Sequence, residues 1–198
     1  AGALAGGTTI TLTGTGFLAG ATVSAGGSAC NSVNVMSGTS ITCVTSSHVA
    51  GTVNVVITNA DTQAATLNSA YTYQAAPTLA SISPTAGPVA GGGTLTLTGT
   101  GFVAGATVTV DGSTCTSPSV NSATNITCVI PAHAAGTVNV TVTNADTQSA
   151  TLASSYSYQA APTVTSISPT AGALAGGTTV TITGTNFVAG ATATIGGA

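Results

Sequence analysis

Apolar residues in this chain recur at every second position, in short runs separated by glycine-rich turns. In "GGGTLTLTGTGF" the alternation places Leu95 and Leu97 on one face and Thr94, Thr96 and Thr98 on the other, the pattern of a strand with one buried side. "TLASISP" (Thr78–Pro84) predicts a short strand ended by proline. "GATVTVDG" (Gly105–Gly112) predicts another, carrying Val108 and Val110 up to an Asp-Gly turn. "NITCVIP" (Asn125–Pro131) adds a strand bearing Ile126 and Cys128. "GTVNVTVTNADTQSATLASSYSY" reads as a hairpin: Val138, Val140 and Val142 point inward, "NADTQ" turns the chain, and Leu152, Tyr156 and Tyr158 return. No stretch has helical period. Roughly six or seven short strands, with turn signals about every 8–12 residues, predict an all-β sandwich.

The pattern also repeats as a whole. A shift of 85 residues brings Ala1 onto Ala86 and Ala171, Phe17 onto Phe102 and Phe187, Cys30 onto Cys115, and Cys43 onto Cys128. Residues 1–85 and 86–170 share 58 identities. So long a period suits a small domain with its own core better than a solenoid unit. Tandem domains are therefore expected at 1–76 (lacking its first strand), 77–161 (complete) and 162–198 (the first strands of a third). The joining segments "YQAAPT" (Tyr73–Thr78 and Tyr158–Thr163) are short and carry a proline, which predicts a stiff rod. Because the chain starts and stops inside a repeat, it is expected to be an excerpt of a longer array. The alternative is strand exchange, in which Pro162–Thr170 of one molecule completes the first domain of the next.

Charge narrows the partners. There is no Lys or Arg, and the only acids are Asp61, Asp111 and Asp146. Nucleic acid and anionic membrane surfaces, which are held through cationic side chains, are excluded as partners. No apolar run reaches the length of a membrane span. Thr (41) and Ser (20) supply hydroxyl-rich outer faces, open to O-linked sugar. Asn125-Ile-Thr and Asn139-Val-Thr are sequons, incidental outside a eukaryotic secretory pathway.

Candidate chemistry is sparse. His48 and His133 occupy equivalent turns, in "SSHVAG" and "PAHAAG", where the readings are a general base beside a serine or a plain loop histidine. With no acid at a partner spacing, the loop reading is preferred. Asp61 and Asp146 fall in identical "TNADTQ" turns, and one carboxylate per turn suits turn chemistry better than a calcium ion wanting six to eight oxygens. Asp111 has Gly26 as its counterpart and belongs to no repeated site. "GTGFVAG" follows a strand without opening a helix, so it is not a dinucleotide loop. The aromatics stand mostly at core-type positions, Phe17, Phe102, Phe187 and the paired tyrosines, so no sugar-stacking platform is expected. No cofactor is expected. Cys30 and Cys43, like Cys115 and Cys128, are 13 residues apart. One pair per domain suits a disulfide, and zinc would need four ligands. Disulfides imply an oxidising, extracytoplasmic location.

"SISPTAGPVAGGGTLTLTGTGF", "VDGSTC", "NITCVIPAHAAGTVNVTVTN" and the final "YSY" together resemble an IPT/TIG domain. The first repeat departs only in having Ser46 where Pro131 stands. The resemblance implies an immunoglobulin-like fold. It leaves function open, because such domains occur in receptors, transcription factors, polysaccharide enzymes and bacterial surface proteins. The strong repetition and low charge look most like the last use. The expectation is a non-enzymatic extracellular stalk, fibre or surface filament that self-associates with identical chains. The alternatives are an adhesin segment recognising glycan or a host surface protein, and an accessory domain of a polysaccharide-degrading enzyme.

Overall fold

The computed structural model describes residues 1–196, and those residues form strands and turns without a helix. The first unit comprises Gly2–Ala3 (β1), Thr9–Thr13 (β2), Thr22–Ala25 (β3), Ser28–Ala29 (β4), Asn31–Ser37 (β5), Ser40–Val44 (β6), Gly51–Thr58 (β7) and Ala64–Gln74 (β8). The middle unit comprises Thr78–Ser83 (β9), Ala86–Pro88 (β10), Thr94–Thr100 (β11), Thr107–Val110 (β12), Ser113–Thr114 (β13), Thr116–Ser122 (β14), Asn125–Val129 (β15), Gly136–Thr143 (β16) and Ser149–Gln159 (β17). Thr163–Ser168 (β18) and Thr181–Thr185 (β19) follow. Gly197 and Ala198, the last residues of the expected third unit, lie outside the described residues.

The middle unit is a two-sheet immunoglobulin-like sandwich, with strand orders β10-β17-β16-β12-β13 and β14-β15-β11-β9. Alternation sets its interior. Leu95, Leu97, Val108, Val110, Ile126, Val140 and Val142 are fully buried, and Ile82, Phe102, Ile130, Val138, Tyr156 and Tyr158 nearly so. Leu97 sits opposite Ile126 on one side and Ile82 on the other. A register shift at Thr98/Gly99 turns β11 against β9. Gly99 is required there, because a Cβ would collide with the Thr78 carbonyl and the Phe102 ring.

Two strands differ from the alternation reading. β9 ends at Ser83, as the proline predicts, but the chain then crosses to the other sheet and forms β10, which pairs in parallel with β17. Thr116–Ser122 forms β14, an edge strand on β15 with two register irregularities. Its polar sequence and Pro118 hide it from a periodicity search, and an edge is where a strand can hold proline.

The first unit repeats this plan with sheets β1-β8-β7-β3-β4 and β2-β6-β5. Among the described residues no strand lies beside β2 in the place that β9 takes beside β11. The difference shows in burial. Ile10 and Leu12 are only half-buried, whereas their equivalents Leu95 and Leu97 are 0% exposed. Leu67 is exposed, while its equivalent Leu152 packs on the core. In the third unit β18 pairs with β19, Ile167 opposite Ile182, in the register that β9 takes on β11. Phe187, expected in a core, is 47% exposed. No second sheet closes over it among the described residues.

Candidate functional site

The densest polar and aromatic constellation lies where the middle unit's two sheets meet. Cys115 is the single residue between β13 of one sheet and β14 of the other, and Cys128 sits in β15 opposite Leu95. Both thiols are buried, in contact with each other. Cys30 and Cys43 repeat the arrangement between β4 and β6 of the first unit. Cys115 and Cys128 shift one another's acidity in opposite directions. Their contact lowers the Cys115 pKa, and it raises that of Cys128, where burial adds to the effect. Burial, then the contact with Cys30, pushes Cys43 up to about 12. A thiol raised in this way, as at Cys43 and Cys128, is a poor nucleophile at neutral pH.

Next to the Cys115–Cys128 pair stand Tyr158 and Tyr156, edge to face with ring centroids 4.9 Å apart. The Tyr158 hydroxyl donates to the Pro131 carbonyl at 2.8 Å, and the His133 ring stacks on Tyr158 at 5.0 Å. Tyr71, Tyr73 and His48 repeat the stack in the first unit. There the Tyr71 and Tyr73 hydroxyls are buried without a hydrogen-bond partner.

Asp111 corrects the sequence reading. It stands 3.1 Å from His133, its Oδ2 facing Nε2, although the two residues are 22 apart in the chain. Strand β12 ends at Val110 and delivers Asp111 to the turn, while His133 lies in the loop before β16. In the first unit a Cβ at Gly26 would strike the His48 ring, so the equivalent position holds no acid and little space. His133 Nδ1 faces the Ala134 carbonyl at 2.9 Å. Both ring nitrogens thus point at oxygen. Neither is hydrogen-bonded to a serine. In the first unit the Ser46 hydroxyl donates to the Ala29 carbonyl. The pair is partly exposed, so it contributes little to stability.

The tyrosines carry a pH dependence. Burial, then neighbouring Tyr156 and the cysteines, raise the Tyr158 pKa from 10.0 to about 12. Burial likewise raises Tyr156 and Tyr73. A raised folded-state value means the neutral phenol is favoured by folding. The stabilisation is whole below pH 10 and is lost as pH rises through about 12. Phenolate absorbance of Tyr158 is therefore expected to lag to about pH 12 and to coincide with loss of near-ultraviolet circular dichroism. Titration near pH 10 with the fold intact would contradict it.

The acids of the "NADTQ" turns serve the backbone, as expected. Asp146 Oδ1 accepts from the Gln148 amide at 3.2 Å, and Asp61 from that of Gln63 at 3.1 Å. Left-handed backbone falls not on Asn or Asp but on Thr62 (φ 71°) and Thr147 (φ 70°). Among the described residues no group of three metal-ligating side chains is assembled. No described helix is long and apolar enough to cross a membrane.

Comparison with known proteins bears on the architecture. The chain is 33% identical over 167 residues to fibrocystin-L of Mus musculus, covering 81% of this chain but 4% of that protein. Among solved structures, the full extracellular region of plexin A4, domains 1 to 10, aligns with a TM-score of 0.56 at 24% identity. That alignment covers 85% of this chain and 15% of the plexin chain. The IPT/TIG domain family matches residues 1–74, 77–158 and 162–198. With nearly every residue inside one of these three matches, the chain belongs to the IPT/TIG domain family.

Proposed function

We propose that this chain is a non-enzymatic spacer of an extracellular surface protein, with domains at 1–76, 77–161 and 162–198, whose copies associate side by side into a stalk or filament. IPT/TIG repeats with this surface make a binding or structural module. The observation that carries the structural reading is the use of the repeated residues. Tyrosines, cysteines and alternating aliphatics fill the two cores, while Asp61 and Asp146 hold turns and Asp111 holds His133. What remains outside is rows of threonine on β2, β11 and β19. These faces have no cation to repel a copy. The proposal includes disulfides Cys30–Cys43 and Cys115–Cys128, each tying the corner where the chain changes sheets to a strand at the core.

Sedimentation and electron microscopy test the reading. Mass should rise with protein concentration, and micrographs should show filaments with an axial spacing of one or two domains, roughly 35–45 Å each. Monomers at every concentration, dispersed as thin unassociated stalks, would overturn the self-association.

A further inference from the structure

The "NADTQ" turn differs between the two units in one respect. Asp61 and Gln63 are exposed, whereas Asp146 and Gln148 are half-buried. The cover comes from the first unit. Gln148 Nε2 donates to the main-chain carbonyl of Gln74, the last residue of β8, at 3.1 Å. The same nitrogen is held by Asp146 Oδ2 at 2.8 Å, so the donor is aimed before the carbonyl arrives. The turn is braced from beneath. Asn144, only 3% exposed, donates Nδ2 to the Gly101 carbonyl at 2.8 Å, tying this turn to the one after β11. Gly101 in turn abuts the linker at Ala76 and Pro77. Two turns of the middle unit thus lie against the end of β8 and the linker, where Pro77 and Gln74 Oε1 are buried.

The turn is already formed where it grips nothing. In the first unit Gln63 Nε2 meets Asp61 Oδ2 at 2.8 Å, and Asn59 Nδ2 meets the Gly16 carbonyl at 2.9 Å. Thr62 holds the same left-handed backbone as Thr147. A donor that needs no ordering binds at lower entropic cost. The residues on both sides of the contact recur unchanged, Asn-Ala-Asp-Thr-Gln at 59–63 and 144–148, and Gln-Ala-Ala-Pro-Thr at 74–78 and 159–163.

We propose that this turn is an interdomain clamp, a preformed docking surface whose partner is the carbonyl-bearing end of the last strand in the preceding IPT/TIG repeat. Gln148 makes the contact, and Asp146 and Asn144 are positioning residues. The clamp fixes the angle between successive sandwiches, which the proline linker by itself leaves open to rotation. Gln63 presents the same donor on the first unit.

Residual dipolar couplings on the whole chain test this. The first and middle units should share one alignment tensor, and Gln148→Met, which keeps the side chain's length but removes the donor, should split it into two. Asp146→Ala should do the same. Gln63→Met is the control and should keep one tensor. Unchanged amide shifts at Leu97 and Val140 will show that the middle core is intact. A single tensor surviving both Gln148→Met and Asp146→Ala would overturn the clamp, as would two tensors in the unaltered chain. Lateral association is read by sedimentation, so the spacer proposal and the clamp fail separately.

Discussion

Leu97→Ala is expected to destabilise the middle unit by about 3–4 kcal/mol, and Leu12→Ala the first unit by only about half as much. The two leucines hold equivalent positions with identical neighbours in sequence, Thr on either side. Leu97 is 0% exposed, wedged between Ile126 and Ile82. Truncation there leaves a cavity that β9 and β15 hold open. Leu12 faces Ile41 on β6 and is half-buried with no strand on its other flank, so water already reaches it and less transfer energy is lost. For domains of this size the larger loss corresponds to a fall in melting temperature of roughly 12–30 °C. Denaturant unfolding followed by hydrogen exchange, which assigns each transition to its unit, measures both. Equal losses at the two positions would show that the missing neighbour does not govern the core of the first unit.

The second large effect is reduction. Closing a 13-residue loop is worth roughly 3 kcal/mol, and each unit has one such loop, from Cys30 to Cys43 and from Cys115 to Cys128. Dithiothreitol is expected to lower both melting transitions, by roughly 12–24 °C. Peptide mapping with chymotrypsin should recover both linkages before reduction, the chain having no Lys or Arg for trypsin. Thiols that alkylate only after denaturation, with no linked peptides, would show that the pairs are free and buried. The extracytoplasmic assignment would then lose its main support.

The sequence made the sandwich legible because nearly every interior strand alternates cleanly. Leu95, Leu97, Val108, Val110, Ile126, Val138, Val140 and Val142 were all readable as core from spacing, and all are buried. What escaped was set by contacts between distant segments. β14 is recognisable only through its pairing with β15, and β10 only through its parallel pairing with β17. The Asp111–His133 contact joins two turns that share no local pattern. Phe187 matches Phe102 in sequence, but burial needs a facing sheet as well as an apolar side chain. The "NADTQ" turn shows the same limit. Its internal bonds follow from residue type, whereas the Gln148 contact with Gln74 depends on where the previous sandwich ends.

The parallel pairing of β10 with β17 decides how a domain answers tension. Ala86, Gly87 and Pro88 lie beside Ser157, Tyr158 and Gln159, with the two strands running the same way. A pull along the chain draws β10 toward its amino end and β17 toward its carboxyl end. Parallel neighbours drawn in opposite senses slide past each other, so their cross-strand bonds share the load together instead of opening one at a time as in an unzipping hairpin. β1 and β8 carry the same geometry at Gly2 and Ala3. In the first and middle units the force therefore meets a shear clasp between this short parallel strand and the unit's last strand, and a row of such clasps in series would let the array bear load while its cores stay closed.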